Sequence, residues 1–461
     1  MRIAMISEHA SPLAILGGED AGGQNTHVAE LSAALAAAGH DVRVYTRRDA
    51  VDLPVTVRSP DGYDVVHVPA GPAEPLAKDA LLPHMRPFGA WLVDRWRGGD
   101  WVPEVIHAHF WMSGLAALEA GRQTGVPVVQ TYHALGAVKR RHQGVQDTSP
   151  ARRIGYERQL GRSVDRVIAQ CRDEVGELVR MGVPRSAMTV IPSGVNLATF
   201  APLGPAAERE PGRPRILTVG RLVERKGFQT VVRAMAHVPE AECVVVGGPP
   251  AGLLETDPYA RRLRALAGSC GVADRVRLVG AVPREEMGRW YRSADILVAA
   301  PWYEPLFGLT PLEAMACGVP VVATAVGGLR DTVVDVTGDL VLARDPRALG
   351  AALRALLDDR ILVRVRGRGA GPRPPALLGR SPRSASPRST TRWPRCVDRP
   401  GGGLMSLLDA HLAHLRPRHC RRSAAASRCS PGGGAVPPDG SPTAAGCSSP
   451  ATVAVPPRRN T

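Results

Sequence analysis

Short, nearly unbroken runs of Val, Ile, Leu and Ala alternate along the chain with longer stretches whose apolar residues recur every three to four positions. A strand buried on both faces reads as such a run, and a helix with one buried stripe leaves the longer pattern. The alternation therefore predicts repeated βα units and parallel sheets covered on both faces. Residues 2–6 form the first predicted strand and 25–38 the first helix, closed by Gly39 before a second strand at 41–46. Further strands are predicted at 64–68, 104–108, 127–131 and 165–169. A second series opens at 215–220 and continues at 242–246, 275–279, 295–299 and 320–323, so the pattern predicts two sheets.

Between the two series, Pro202, Pro205, Pro211 and Pro214 make 199–214 too proline-rich for a helix interior, and the domain linker is placed there. One domain then covers 1–198 and a second 215–359. An internal echo joins them: 125–131 (GVPVVQT) and 318–324 (GVPVVAT) differ at one position. Duplication explains this, and so does convergence of helix-to-strand turns on Gly, Pro and a buried strand.

The 461 residues carry a net charge of +15, which alone would point to nucleic acid. The distribution removes that reading: residues 1–359 hold 40 basic and 40 acidic side chains, and the excess lies in 360–461, with 18 Arg against Asp398, Asp409 and Asp439. This tail is mostly Arg, Pro, Gly and Ser and lacks Phe, Tyr, Glu and Lys, so it is read as disordered. A shifted reading frame in a GC-rich gene yields such a mixture. The alternative, a basic nucleic-acid or membrane arm, is disfavoured by Arg dispersed among Pro and Gly and not clustered with aromatic residues. His411, His414, His419, Cys420 and Cys429 fit no zinc spacing. Glu8 interrupts any leader-like apolar run and no stretch reaches membrane-spanning length, so the body is expected to be cytoplasmic, with Cys171, Cys243, Cys270 and Cys317 as free thiols.

Three segments carry candidate chemistry. The Gly-rich loop 17–25, with Gly22, Gly23 and Asn25, joins the first strand to the first helix and offers backbone N–H groups to an anion. It is not the G-x-G-x-x-G dinucleotide fingerprint. Residues 220–227 (GRLVERKG) follow the second domain's first strand, where Arg221 and Lys226 form a cationic clamp suited to a diphosphate. Finally, 301–320 (PWYEPLFGLTPLEAMACGVP) puts Glu304 at a strand end, then a Gly-containing turn, then Glu313 on a short helix, an arrangement that suits sugar hydroxyls and a phosphate met by amides.

The last segment resembles the donor-site motif of retaining glycosyltransferases of family 4, and 220–227 resembles their diphosphate clamp. Residues 20–25 (DAGGQN) are similar to the acceptor-side loop of the branch that contains sucrose-phosphate synthases and the mycothiol-pathway glycosyltransferases that use inositol phosphate. The resemblance spans 1–357. It implies a GT-B architecture, two Rossmann-like doubly wound domains facing across a cleft, and a transferase that moves a sugar from a nucleotide-diphosphate sugar to a hydroxyl acceptor without an essential metal or cofactor. It assigns Arg221 and Lys226 to the diphosphate, Glu304 to the transferred sugar, Phe307, Gly308 and Leu309 to phosphate through their amides, and Glu313 to the ribose. It matches His133 to a histidine near the sugar. On the acceptor side it implicates Gly22, Gly23, Asn25, Lys78 and Arg153.

Three departures from that pattern stand out. Eight residues separate Glu304 from Glu313 where the family has seven. Phe110 and Ala134 stand where the inositol-phosphate branch has hydroxyl-bearing residues, which argues for another small polyol, sugar or sugar phosphate as acceptor. The tail lacks the family's returning C-terminal helix. The rival readings are a nucleotide-sugar-binding pseudoenzyme and an epimerase of the same architecture. Neither nucleic acid nor an integral membrane segment is expected, and no oligomeric state follows.

Overall fold

The computed structural model describes residues 1–14, 22–303, 308–334 and 337–358. Eight strands form the first sheet: β1 (Arg2–Ile6), β2 (Asp41–Arg47), β3 (Thr56–Arg58), β4 (Asp64–Val68), β5 (Val105–His109), β6 (Val128–Thr131), β7 (Arg166–Ala169) and β8 (Met188–Val190). Their order is β3-β4-β2-β1-β5-β6-β7-β8, parallel except for the β3–β4 edge pair. A second, all-parallel sheet holds β9 (Arg215–Val219), β10 (Glu242–Val246), β11 (Val276–Gly280), β12 (Ile296–Ala299), β13 (Val321–Thr324) and β14 (Gly338–Val341), in the order β11-β10-β9-β12-β13-β14.

Helices cover both faces of each sheet. The first has α1 (Gly23–Ala37), α2 (Met85–Arg97), α3 (Trp111–Thr124), α4 (Gly136–Gln143), α5 (Arg153–Ser163) and α6 (Arg172–Arg180). The second has α7 (Phe228–Ala234), α8 (Pro258–Ser269), α9 (Met287–Arg292), α10 (Leu309–Ala316), α11 (Leu329–Thr332) and α12 (Pro346–Asp358). Successive strand residues point into opposite cores: Ile3 and Met5 of β1 pack with Val28 and Leu35 of α1, whereas Ala4 and Ile6 pack with Trp111 and Ala116 of α3. In the second sheet, Ile216 joins Val231 and Leu353, while Leu217 joins Ala314 and Val321. This double burial is why the strands are legible as continuous apolar runs.

The sequence echo has a shared structure. Gly125 (φ 74°) ends α3 before β6, and Gly318 (φ 79°) follows α10 before β13, each in the left-handed region that glycine enters without penalty.

In a doubly wound sheet the ligand crevice lies where strand order reverses. Here those points fall between β1 and β5 in the first sheet and between β9 and β12 in the second. The loops carrying the sequence motifs leave the C-terminal ends of those same strands. Among the described residues, no helix is long and apolar enough to cross a membrane. Glu304, Phe307, most of the 17–25 loop and the whole of 360–461 lie outside the described residues.

Candidate functional site

At the first sheet's reversal, α1 begins with its N3 side chain reaching back to the N-cap: Gly22 N donates to Asn25 Oδ1 at 3.0 Å. Asn25 Nδ2 donates in turn to the Ser11 carbonyl at 3.0 Å, so Asn25 ties the loop to the segment after β1. Gln24 Nε2 reaches Ser7 Oγ and the His109 carbonyl, both at 3.3 Å, bridging the ends of β1 and β5. A Cβ built on Gly23 would sit 3.8 Å from Leu309 Cδ1. The start of α1 thus meets the start of α10, and the residues expected on the acceptor and donor sides come together.

Two non-glycine residues with positive φ mark this end of the sheet, Phe110 (80°) after β5 and His133 (59°) after β6. Such conformations persist only where the surroundings impose them, and they concentrate at functional sites. Arg153 Cζ lies 5.1 Å from the Phe110 ring centroid and Lys78 Nζ 5.8 Å from it, so both expected cations gather on one aromatic ring. Arg153 is nevertheless buried and committed: it donates to Glu157 Oε1 at 2.7 Å, Ser149 Oγ at 3.2 Å and the Ala134 carbonyl at 3.0 Å. His133 faces His109, whose Nδ1 is 2.9 Å from His133 Nε2, and His27, with ring centroids 5.0 Å apart. Burial, followed by the nearby His27 and His9, holds the His133 pKa well below the ordinary imidazole value, so its ring is neutral at pH 7.

At the second reversal, Gly220 (φ 151°) and Gly227 (φ 73°) bracket the clamp. A Cβ on Gly227 would fall 1.8 Å from the Ala300 carbonyl, so only glycine lets α7 start this close to the end of β12. The Lys226 stem lies over Gly220. Its ammonium makes no hydrogen bond or ion pair among the described residues, and burial together with Arg225 and Arg221 pushes its pKa down to about 7. Arg221 and Arg225 lie close enough to act on the Lys226 ammonium, so positive charge is concentrated at the end of a strand, an arrangement suited to a diphosphate.

Gly308 (φ 85°) caps α10, whose Glu313 is buried and doubly engaged. Arg284 Nη1 donates to Oε1 at 2.8 Å and Tyr291 Oη donates to Oε2 at 2.7 Å. The sequence reading missed both partners, which precede Glu313 by 29 and 22 residues. It also missed Tyr303, which stacks on His142 of α4 at 4.4 Å and whose Oη accepts from Gln143 Nε2 at 2.9 Å, joining the end of the described donor segment to the first domain.

The comparisons agree with this geometry. Residues 21–199 match Glycosyltransferase Family 4 and residues 205–370 match Glycosyl transferases group 1. A D-inositol 3-phosphate glycosyltransferase of Xylanimonas cellulosilytica is 41% identical over 374 residues, covering 78% of this chain and 88% of the relative. One from Kineococcus radiotolerans is 39% identical, covering 78% and 87%. Among solved structures, sucrose-phosphate synthase from Thermosynechococcus elongatus superimposes with a TM-score of 0.71 at 33% identity, over 80% of this chain and 92% of that one. At 18% identity, WaaG, a glycosyltransferase involved in lipopolysaccharide biosynthesis, shares the fold with a TM-score of 0.56, over 80% and 94%. These likenesses favour a transferase over an epimerase or a binding-only relic, and with 88% of a 41% identical relative covered, the chain belongs to the family 4 glycosyltransferases.

Proposed function

We propose that this glycosyltransferase moves a hexosyl group from a nucleotide-diphosphate sugar to a hydroxyl of a small polyol, sugar or sugar phosphate, with retention at the anomeric carbon. The observation that carries this reading is Lys226, a buried ammonium with no carboxylate partner among the described residues, beside Arg221 and Arg225 at the reversal point of the second sheet. As the glycosidic bond breaks, negative charge grows on the leaving diphosphate. Cations fixed in place before the reaction stabilise that charge without reorganising, so the transfer step needs no metal. In same-face attack, the departing phosphate oxygen accepts the acceptor's proton while the sugar passes through an oxocarbenium-like state. The neutral His133 ring hydrogen-bonds a sugar hydroxyl without repelling that cation.

Relatives named for inositol 3-phosphate support a small acceptor, but Phe110 and Ala134 supply no hydroxyl here, and Arg153 is held by Glu157. Both facts support a different acceptor. The test is product analysis with UDP-, GDP- and ADP-glucose, each with inositol phosphate, hexose phosphates or glycerol. A sugar–acceptor product that keeps the donor's anomeric configuration supports the proposal; an epimerised donor or an inverted product overturns it.

A further inference from the structure

His27 on α1, His109 at the end of β5 and His133 after β6 come from three separate elements, and one ring nitrogen of each lies within 4.8 Å of the other two. We propose that these imidazoles form a binding site for a late first-row divalent cation of the Zn2+ class, separate from the diphosphate clamp. Nitrogen donors alone select this class over Mg2+ or Ca2+, which take oxygen ligands. Around a tetrahedral zinc with bonds of about 2.0–2.1 Å, the nitrogens stand roughly 3.3–3.4 Å apart, so small ring rotations close the set.

The surroundings are those of a ligand set. His27 Nδ1 is 3.2 Å from Ser193 Oγ, which also accepts from Gln170 Nε2 at 2.6 Å; this fixes the ring and leaves Nε2 for the cation. The 2.9 Å separation of His109 Nδ1 from His133 Nε2 means that one proton lies between those nitrogens. A cation displaces it, and the proton moves to another ring nitrogen or to water. Burial holds His27 down at about 4 and, with His27 and His9, holds His133 well below the ordinary value, so both rings are in the neutral form that ligates. The backbone of His133 is held at φ 59°, a conformation imposed by its surroundings. His109 is buried while His27 and His133 are partly exposed, so the three donors close one side of the site and leave a further coordination position toward solvent. A cation there occupies His133, so on the reading of His133 as a sugar contact it inhibits transfer.

The test is titration of the full chain with Co2+ followed by Zn2+, read by visible absorption. The expected result is one Co2+ per chain with ligand-field bands of low-coordinate nitrogen ligation, no thiolate charge-transfer band, and bleaching by one equivalent of Zn2+. Mg2+ leaves the bands unchanged. His27→Gln, which keeps a hydrogen-bonding group for Ser193, is expected to weaken Co2+ by at least tenfold, since outer partners alone are worth roughly 10–100-fold. If His27→Gln melts abnormally, His109→Asn gives the deciding comparison. Absent bands, bands unchanged in a folded variant, or a thiolate band overturn the site. These readouts do not involve transfer, so their failure is distinct from failure of the proposed reaction.

Discussion

Arg284 lies between the two domains, with Nη1 2.8 Å from Glu313 Oε1 and Nη2 3.5 Å from Glu30 Oε1 of α1. Glu30 is in turn bound by Asn196, just before the linker, at 3.1 Å. The carboxylate expected to meet the ribose is thereby connected, through one guanidinium, to the first domain.

Replacing Arg284 by Met leaves Glu313 buried with half its partners gone. The expected loss is about 1.5–3 kcal/mol, the range for a hydrogen bond to a charged group, read by urea unfolding. Glu30→Gln removes only the longer, more exposed contact and is expected to cost less than about 1 kcal/mol. Equal losses in the two variants would contradict the central place of the Arg284–Glu313 pair.

Lys226 makes nucleotide affinity depend on pH. Its pKa of about 7 without ligand rises when a diphosphate arrives, so binding above pH 7 takes up a proton and affinity falls as pH increases. Titration calorimetry in buffers of different ionisation enthalpy reads that proton directly. In Lys226→Ala the uptake should vanish. For the unliganded fold the sign is opposite: between about 7 and the ordinary 10.5 the unfolded chain holds the extra proton, so this group's contribution to stability grows with pH across that window.

Glu177 gives the acid side. Arg141 Nη1 and Nη2 grip its carboxylate at 2.7 and 2.9 Å, and with help from Arg180 against the cost of burial they hold its pKa down to about 2. A carboxyl depressed in the folded state contributes stability that is fully present above its unfolded value of 4.5 and is lost as pH falls toward 2. Arg141→Ala should flatten the loss of stability over that window. An unchanged acid limb in the variant would remove Glu177 from the account.

Gly227→Ala tests the close approach beneath the clamp. With the Ala300 carbonyl 1.8 Å from the new Cβ, the backbone must shift, and a loss above about 4 kcal/mol is expected. Gly212, also at positive φ but with open space around it, is the control; Ala there should cost only the left-handed penalty of about 1–2 kcal/mol. Similar melting temperatures for the two variants would contradict the steric argument.

The strands legible in the sequence are those whose residues face two cores, such as Ile3 to Ile6. Those not read were β3 and β8, three residues each, and β14, which contains Gly338 and Asp339; edge position and brevity leave no apolar run to see. Arg221, Lys226 and Glu313 stood out as candidates because glycine and charge at a strand end are unusual and local. Asn25 looked like a ligand contact, whereas its observed bonds cap α1 and reach Ser11, a role that depends on where the loop returns. The grouping of His27, His109 and His133 had no local signal, since 82 and 24 residues separate them and only the sheet order brings them together. Arg284 and Tyr291 were hidden from Glu313 for the same reason.

The most direct measurement is equilibrium binding of UDP, GDP and ADP to the full chain and to Lys226→Ala, by calorimetry or ligand-dependent melting. The account predicts saturable binding of at least one diphosphate to the wild-type chain and a loss of roughly 1.5–3 kcal/mol in the variant, about ten- to a hundredfold in Kd. Binding of equal strength in both would contradict the clamp at the second sheet's reversal, and with it the proposed chemistry.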